Sequence, residues 1–155
     1  MALTRINNQA LLGATGSIIQ VVSAELAKDT SATTTSTSYI DTGLSASITP
    51  KASGNKIKIT VAHNQRVQAG SNNDLQVFFK LLVGSTELDA VEHRGDNLGK
   101  LGDTAYHPFT HFQTYIYTTT DTSTLTFKTQ VKIGSSSVAY YKYNDCFIIL
   151  EEIVA

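Results

Sequence analysis

Alternation of apolar and polar residues with a period of two restricts the fold of this chain more than any other feature. In "TLTFKTQVKI", Leu125, Phe127 and Val131 fall on one face, while threonine, lysine and glutamine fill the other. "KIKITV", starting at Lys56, repeats the pattern. Such alternation is typical of β-strands with one buried face, and no segment shows a convincing helical period. The pattern therefore predicts an all-β protein.

Turn-forming residues divide the chain at short intervals. They predict strands that begin near residues 17, 34, 44, 56, 75, 86, 106, 123, 138 and 146. Gly84 and Ser85 suit a two-residue hairpin turn with glycine first. Many short strands separated in this way indicate an antiparallel β-sandwich or barrel. A chain of 155 residues fits one domain, which we place at residues 17–155.

Two predicted strands are apolar on both faces. They are "LQVFFKLLV" (75–83) and "CFIILEEIV" (146–154). Strands covered on both sides have nearly continuous apolar runs, whereas one face of each sheet in a sandwich normally meets water. The outer apolar face of such a strand must be covered by a neighbouring subunit, which we favour, or by a long loop folded across the sheet. Cys146, the only cysteine, is predicted to be a buried apolar residue.

The first sixteen residues lack the strand period. Polar residues interrupt every apolar run there, which argues against a secretory signal. We interpret residues 1–16 as an extended arm that tethers the protein to a neighbour through main-chain hydrogen bonds. The residues expected to make this assembly contact are Arg5, Ile6, Asn7, Asn8 and Gln9.

Composition narrows the classes of partner. The net charge of −1 provides no basic footprint for nucleic acid. The longest apolar run is far shorter than a membrane span, so we expect no membrane insertion. Charged residues make up only 16% of the chain, and serine and threonine take their place. A surface of hydroxyl groups suits a protein that is packed into an assembly.

Residue patterns for catalysis are missing, and we expect neither an enzyme nor a cofactor. Glu151 and Glu152 are adjacent and must point to opposite faces of a strand. No nucleophile elbow, phosphate-binding loop or calcium loop is present.

The positions of the histidines in the sequence indicate a metal site only weakly. His107 and His111 would stand about 13 Å apart on one strand, at about 3.3 Å per residue, so one ion cannot bridge them. A single histidine repeated around a threefold axis stays open as an alternative, although packed or solvated histidines are favoured. The candidates are His63, His93, His107 and His111.

A long connection between predicted strands, Glu92 to Tyr106, contains three glycines and several charges. Long loops on rigid scaffolds often carry binding residues, and a passive solvated loop is the alternative. The residues expected to meet a partner there are His93, Arg94, Asp96, Asn97 and Lys100.

Tyrosines form a second set of candidates, because exposed aromatic rings stack on sugars or anchor protein partners. The alternative, which we favour for each residue taken singly, is that tyrosine suits a half-buried sheet surface. The candidate aromatic surface comprises Tyr115, Tyr117, Tyr141 and Tyr143.

Several motifs in sequence order resemble a family of small bacteriophage virion proteins. They are "MALTRINNQAL", "GSIIQVVSAE" and "TTTSTSYIDTGLSASITPKASGNKIKITV", followed by "FFKLLVGSTEL" and the ending "IILEEI". The likeness covers most of the chain and departs in the loop at 92–106. It implies a jelly-roll-like antiparallel β-sandwich of the C1q or tumour-necrosis-factor type, preceded by the arm and forming homotrimers. It implies no catalytic residue.

The leading functional hypothesis is a trimeric fibre or spike module on the virion surface. It would be assembled in the host cytoplasm, held by its arm to other virion proteins, and would contact a host surface glycan. An alternative is a capsid decoration protein that cements the shell at threefold positions, which the lack of a shaft favours. A second alternative is a secreted carbohydrate-binding module, against which the absence of a signal segment counts.

Overall fold

The computed structural model describes residues 13–27, 33–69, 76–94, 106–134, 138–142 and 145–155. Ten β-strands and no helix occur among them, so this part of the chain contains no helix that could cross a membrane. The strands are β1 (Ile18–Leu26), β2 (Thr33–Thr34), β3 (Ile40–Ile48), β4 (Lys56–Ala69), β5 (Gln76–Val83), β6 (Thr86–Arg94), β7 (Tyr106–Thr118), β8 (Leu125–Ile133), β9 (Val138–Lys142) and β10 (Cys146–Ile153). Every strand begins close to its predicted position, and the largest difference is at β3.

The strands form two antiparallel sheets. In the first sheet, β4 pairs with β7 along one edge; along the other edge it pairs first with β10 and then with β9. β1 lies beyond β10, and the short β2 lies beyond β9. The second sheet has the order β3-β8-β5-β6.

The strand order identifies the sandwich as a jelly roll. Eight strands divide into β1-β10-β4-β7 and β3-β8-β5-β6, and the chain changes sheet at nearly every connection. The exception is the β5–β6 hairpin, whose turn contains Gly84 at a φ of +58°, as the glycine-first turn requires. Two Greek keys arranged in this way make a jelly roll. The predicted fold class is therefore confirmed.

Alternating side chains from both sheets fill the space between them. Ile57, Ile59 and Leu150 of the first sheet meet Phe127 of the second, and all are essentially inaccessible to solvent. Cys146 belongs to the same cluster, as predicted. A second cluster lies around Phe79, Val131 and Ile133. Burial of each such side chain contributes about 1.5–3 kcal/mol to folding.

The two strands that are apolar on both faces behave differently. In β10, Phe147 and Ile149 lie on the outer face of the first sheet and are half-buried. In β5, Leu82 is buried within the single chain, and the ammonium of Lys132 lies over the ring of Phe78. The chain itself thus covers part of the outer face of β5, and the second subunit stays a prediction.

Candidate functional site

Two residues of the predicted partner loop lie in a strand. The β5–β6 hairpin continues to the pairs Val77–His93 and Gln76–Arg94, so His93 and Arg94 belong to β6. Their assignment to a loop is wrong, because main-chain pairing with β5 continues for the length of that strand. Only the backbone of these two residues is described, and Asp96, Asn97 and Lys100 lie outside the described residues.

The predicted aromatic surface does not form at Tyr115 and Tyr117. Both side chains point inward and pack, partly buried, against the main core. The ring of Tyr117 meets that of Phe127 edge-on, with centroids 5.7 Å apart. The favoured alternative, a half-buried position in a sheet, is what the structure shows for both. Tyr141 lies in β9, where only its backbone is described, and Tyr143 lies outside the described residues.

Two histidines lie in the core. His63 of β4 and His111 of β7 are direct register partners, each 1% exposed. Their ring centroids are 6.2 Å apart, and Phe79 stacks against them at 5.1 Å and 4.6 Å respectively. Burial, followed by the charge of His111, lowers the pKa of His63 to about 3. A place on an external threefold axis is therefore ruled out for these two residues.

Side chains that bind metals do not converge in the described ranges, where no three His, Cys, Asp or Glu residues form a group that could hold an ion. The arm residues Arg5, Ile6, Asn7, Asn8 and Gln9 lie outside the described part of the chain. The side chains of His93 and His107 are likewise not described.

The adjacent glutamates separate as predicted. Glu151 points outward and forms a 2.7 Å ion pair with Lys58. Glu152 is fully buried, and its Oε1 accepts hydrogen bonds of 2.7 Å from the backbone N–H of Lys51 and from Asn55 Nδ2. Glu152 therefore fastens the β3–β4 connection to β10, and the two carboxylates do not act on a common substrate.

Apolar side chains cover much of the outer face of the first sheet. The exposed fractions are 62% for Phe112, 59% for Val21 and 48% for Ile116. These are high values for apolar residues in the middle of regular strands. The register places Phe112 and Phe147 on opposite sides of Ala62, which they shield from solvent. This apolar face comprises Ile18, Val21, Phe112, Ile116, Phe147 and Ile149.

An ion pair lies within the apolar face. Lys58 and Glu151, which pair with each other, lie between Val21 and Ile116 in one row across the strands. An occupant therefore needs no complementary charge at this point.

The outer face of the second sheet is polar and cationic. Lys132 of β8 lies between Phe78 of β5 and Tyr39, which immediately precedes β3. Its Nζ is 4.7 Å from the Phe78 ring centroid and 4.9 Å from that of Tyr39. Lys80 Nζ lies 4.3 Å from the same Tyr39 ring. We call Tyr39, Phe78, Lys80 and Lys132 the cation–aromatic cluster.

Two of the three lysines described on this face, Lys80 and Lys128, form ion pairs with neighbouring carboxylates. Lys80 pairs with Glu87, which raises the pKa of Lys80 above its usual value. Lys128 pairs with Asp41 at 3.1 Å. A hydrogen bond from Gln130, followed by the contact with Lys128, lowers the pKa of Asp41. Among the described side chains, Lys132 makes no ion pair.

Sequence reasoning missed this cluster, because its members come from three separate parts of the chain. Alternation in β8 correctly puts Lys132 on the face opposite Phe127. Nothing local indicates that Tyr39 and Phe78 become its neighbours; that follows only from the strand order β3-β8-β5.

Comparisons with known proteins give limited information. No described protein family matches the sequence, and neither does any curated protein. Among solved structures, similar chains include the insecticidal delta-endotoxin Cry8Ea1 from Bacillus thuringiensis, with a TM-score of 0.40 and 14% identity over 78% of this chain. Another is from infectious bursal disease virus, Gx strain, with a TM-score of 0.41 and 13% identity over 88% of this chain.

This protein spans only 19% of the toxin chain and 37% of the viral chain. Likenesses at this level carry no argument about function. The fold assignment rests on the strand order of the protein itself, and the resemblance to bacteriophage virion proteins stays a prediction.

Proposed function

We propose that this protein is a non-enzymatic structural subunit of a bacteriophage virion, a surface module that associates as a homotrimer. The observation that carries the proposal is the apolar face of the first sheet. Isolated soluble proteins rarely expose contiguous apolar patches of more than a few hundred Å². Regular strands that expose Phe112, Val21 and Ile116 therefore favour a subunit made for contact with another protein surface.

A second copy of this chain is the occupant that the apolar face suits best. The Lys58–Glu151 pair neutralises both charges in the middle of the face, so an identical surface meets no net charge at that point. Closed symmetry is also the usual outcome for association between copies. The number three comes from the sequence resemblance, which implies a trimeric jelly roll.

Attachment to the particle is assigned to the N-terminal arm. Gly16 and Ser17 exchange main-chain hydrogen bonds with Val154, at 2.8 Å and 3.0 Å. The preceding residues therefore depart beside the end of β10, at one edge of the first sheet. Twelve residues in extended form would reach about 40 Å, enough to contact another virion protein.

Mass measurement by light scattering behind a sizing column tests the association. The double variant Phe112→Gln, Ile116→Gln removes two exposed side chains from the apolar face, and we expect it to fold and run as a monomer. Ile40→Gln is the matched control, because Ile40 is also an exposed apolar residue, at 36%, but lies in the second sheet. A monomeric parent protein, or a double variant that keeps the parent mass, contradicts the proposal.

Immunolabelling of purified particles tests the location. We expect the label on the particle surface, and its copy number separates the two virion hypotheses. A few trimers at one vertex indicate a fibre or spike, whereas many copies over the shell indicate capsid decoration. Particles without the protein would contradict both.

A further inference from the structure

We propose that the cation–aromatic cluster binds an acidic sugar, that is, a saccharide unit carrying one carboxylate or sulfate group. The anion would pair with Lys132, and the sugar ring would lie against Phe78 and Tyr39. This inference goes beyond the proposed function, because the cluster lies on the outer face of the second sheet, away from the apolar face.

Strand register holds the cluster in place. Phe78 and Lys132 are direct partners between β5 and β8. The β3–β8 register, continued one residue beyond the Ile40–Val131 pair, puts Tyr39 on the other side of Lys132. The three side chains thus form one row across neighbouring strands, and both rings approach the ammonium within 5 Å. Contacts of this geometry stabilise a cation over a ring.

Among the described side chains of this row, the positive charge of Lys132 has no counter-charge, which suits an anion as ligand. Glu87 neutralises Lys80 and Asp41 neutralises Lys128, whereas the described side chains provide no carboxylate for Lys132. Lys80 and Lys132 both approach the ring of Tyr39, so the positive charge on this face is concentrated around that ring. A bound anion would supply a counter-charge for Lys132 and form charge-assisted hydrogen bonds with its ammonium group.

The surroundings of the cluster favour a sugar over an acidic peptide. β8 is a central strand with both edges paired, so a peptide cannot add to it by strand pairing. Outward side chains along β8 are all polar. The hydroxyl pair Ser47–Thr126 joins β3 to β8 at 2.8 Å, and Thr49–Thr124 joins the residues just beyond these strands at 2.8 Å. The irregular part of β3 adds a shallow depression lined by Asp41, Gly43, Ser45 and Lys128. Aromatic rings beside hydroxyl and amide groups suit the mixed apolar and polar surface of a saccharide.

Binding is measured on the full-length chain with three probes that share one disaccharide: lactose, 3′-sialyllactose and lactose 3′-sulfate. Titration followed by two-dimensional NMR reports both affinity and the residues affected. We expect one or both charged probes to bind and to shift the amide signals of Tyr39, Phe78 and Lys132. Comparison of 3′-sialyllactose with lactose 3′-sulfate shows whether the site prefers a carboxylate or a sulfate group.

Variants test the assignment of the anion to Lys132. When a hydrogen bond between charged groups is lost, the affinity for the ligand typically falls about tenfold or more. We expect that loss for Lys132→Gln and near-parent affinity for Lys132→Arg. Lys56→Gln is the matched control: it removes the same charge from an exposed lysine of the first sheet, and should leave binding unchanged.

Four results would overturn the proposal: no binding of either charged probe, equal binding of lactose, equal loss in Lys56→Gln and Lys132→Gln, or signal shifts confined to the first sheet. The titration does not depend on the particle or on the mass of the oligomer. Failure here therefore leaves the proposed structural function untouched, and failure of that function leaves this test valid.

Discussion

At the scale of single residues, the stacked histidines are the most unusual part of the core. His63 Nε2 and both amide atoms of Gln65 are buried without a hydrogen-bond partner among the described residues. An unsatisfied buried group costs about 1–3 kcal/mol. The stacking of Phe79 against both rings compensates part of this cost. Neutral histidines are tolerated in such a place, whereas a protonated ring would be buried without a counter-ion.

Acid should therefore destabilise the protein through His63. Its folded pKa of about 3 lies below the unfolded value of 6.5, so the unfolded chain binds the proton first. The contribution of neutral His63 is complete above pH 6.5 and is lost as the pH falls towards 3. The slope approaches about 1.4 kcal/mol per pH unit.

Urea unfolding between pH 7 and 4.5 measures this effect above the range in which most carboxylates titrate. His63→Leu should flatten the pH dependence of the free energy of unfolding, whatever its absolute stability. A variant with the same slope as the parent would show that His63 does not cause the acid sensitivity.

At the scale of elements, β3 depends on one glycine. The register between β3 and β8 shifts between Asp41 and Ser45, and Gly43 within this irregular stretch has a φ of +85°. The irregularity lets Asp41 meet both Lys128 and Gln130. A bulge of this kind often redirects a side chain while the strand continues.

Gly43→Ala should destabilise the protein by about 1–2 kcal/mol, because an L-residue is strained at this φ. The added methyl group has room, since the nearest side-chain atom, Leu26 Cδ1, would be 3.8 Å away. Thermal unfolding should show a midpoint lowered by roughly 2–8 °C for a chain of this size. Gly13→Ala is the control: it meets nothing within 4 Å and has no left-handed φ. Equal midpoints for the two variants would refute the strain argument.

At the scale of the whole molecule, the two sheets present different outer surfaces. The first sheet exposes the apolar face, and the second exposes lysines beside aromatic rings. In the proposed trimer, the first surface is covered by neighbouring copies and the second stays open to the surroundings. The two proposals together assign assembly and recognition to opposite sides of the sandwich.

Deletion of residues 1–12 should leave the domain folded and abolish its incorporation into particles. The remaining chain keeps Gly16, Ser17 and their pairing with Val154, so we expect a thermal midpoint within about 2 °C of the parent. Incorporation is measured by quantifying the protein in purified particles. A variant with a Gly-Ser arm of equal length separates the effect of length from that of sequence. Normal incorporation of the deletion variant would contradict the tether.

The amino-acid sequence by itself determined the local features of this protein. Alternation, turn residues and apolar runs predicted the ten strands, the Gly84 turn, the buried Cys146 and the inward position of Phe127, because each depends on neighbours in the chain. The jelly-roll topology was predicted by resemblance, and the strand order confirms it.

Only the tertiary structure decided which polar and aromatic side chains meet. A period of two predicts that neighbouring residues of a strand point to opposite faces. It does not predict which face is buried when both faces carry histidine, tyrosine or threonine. His111 and Tyr115 lie inside, while Tyr39, Phe78 and Lys132 meet outside. Such contacts join residues far apart in sequence, and their formation depends on the pairing of whole strands.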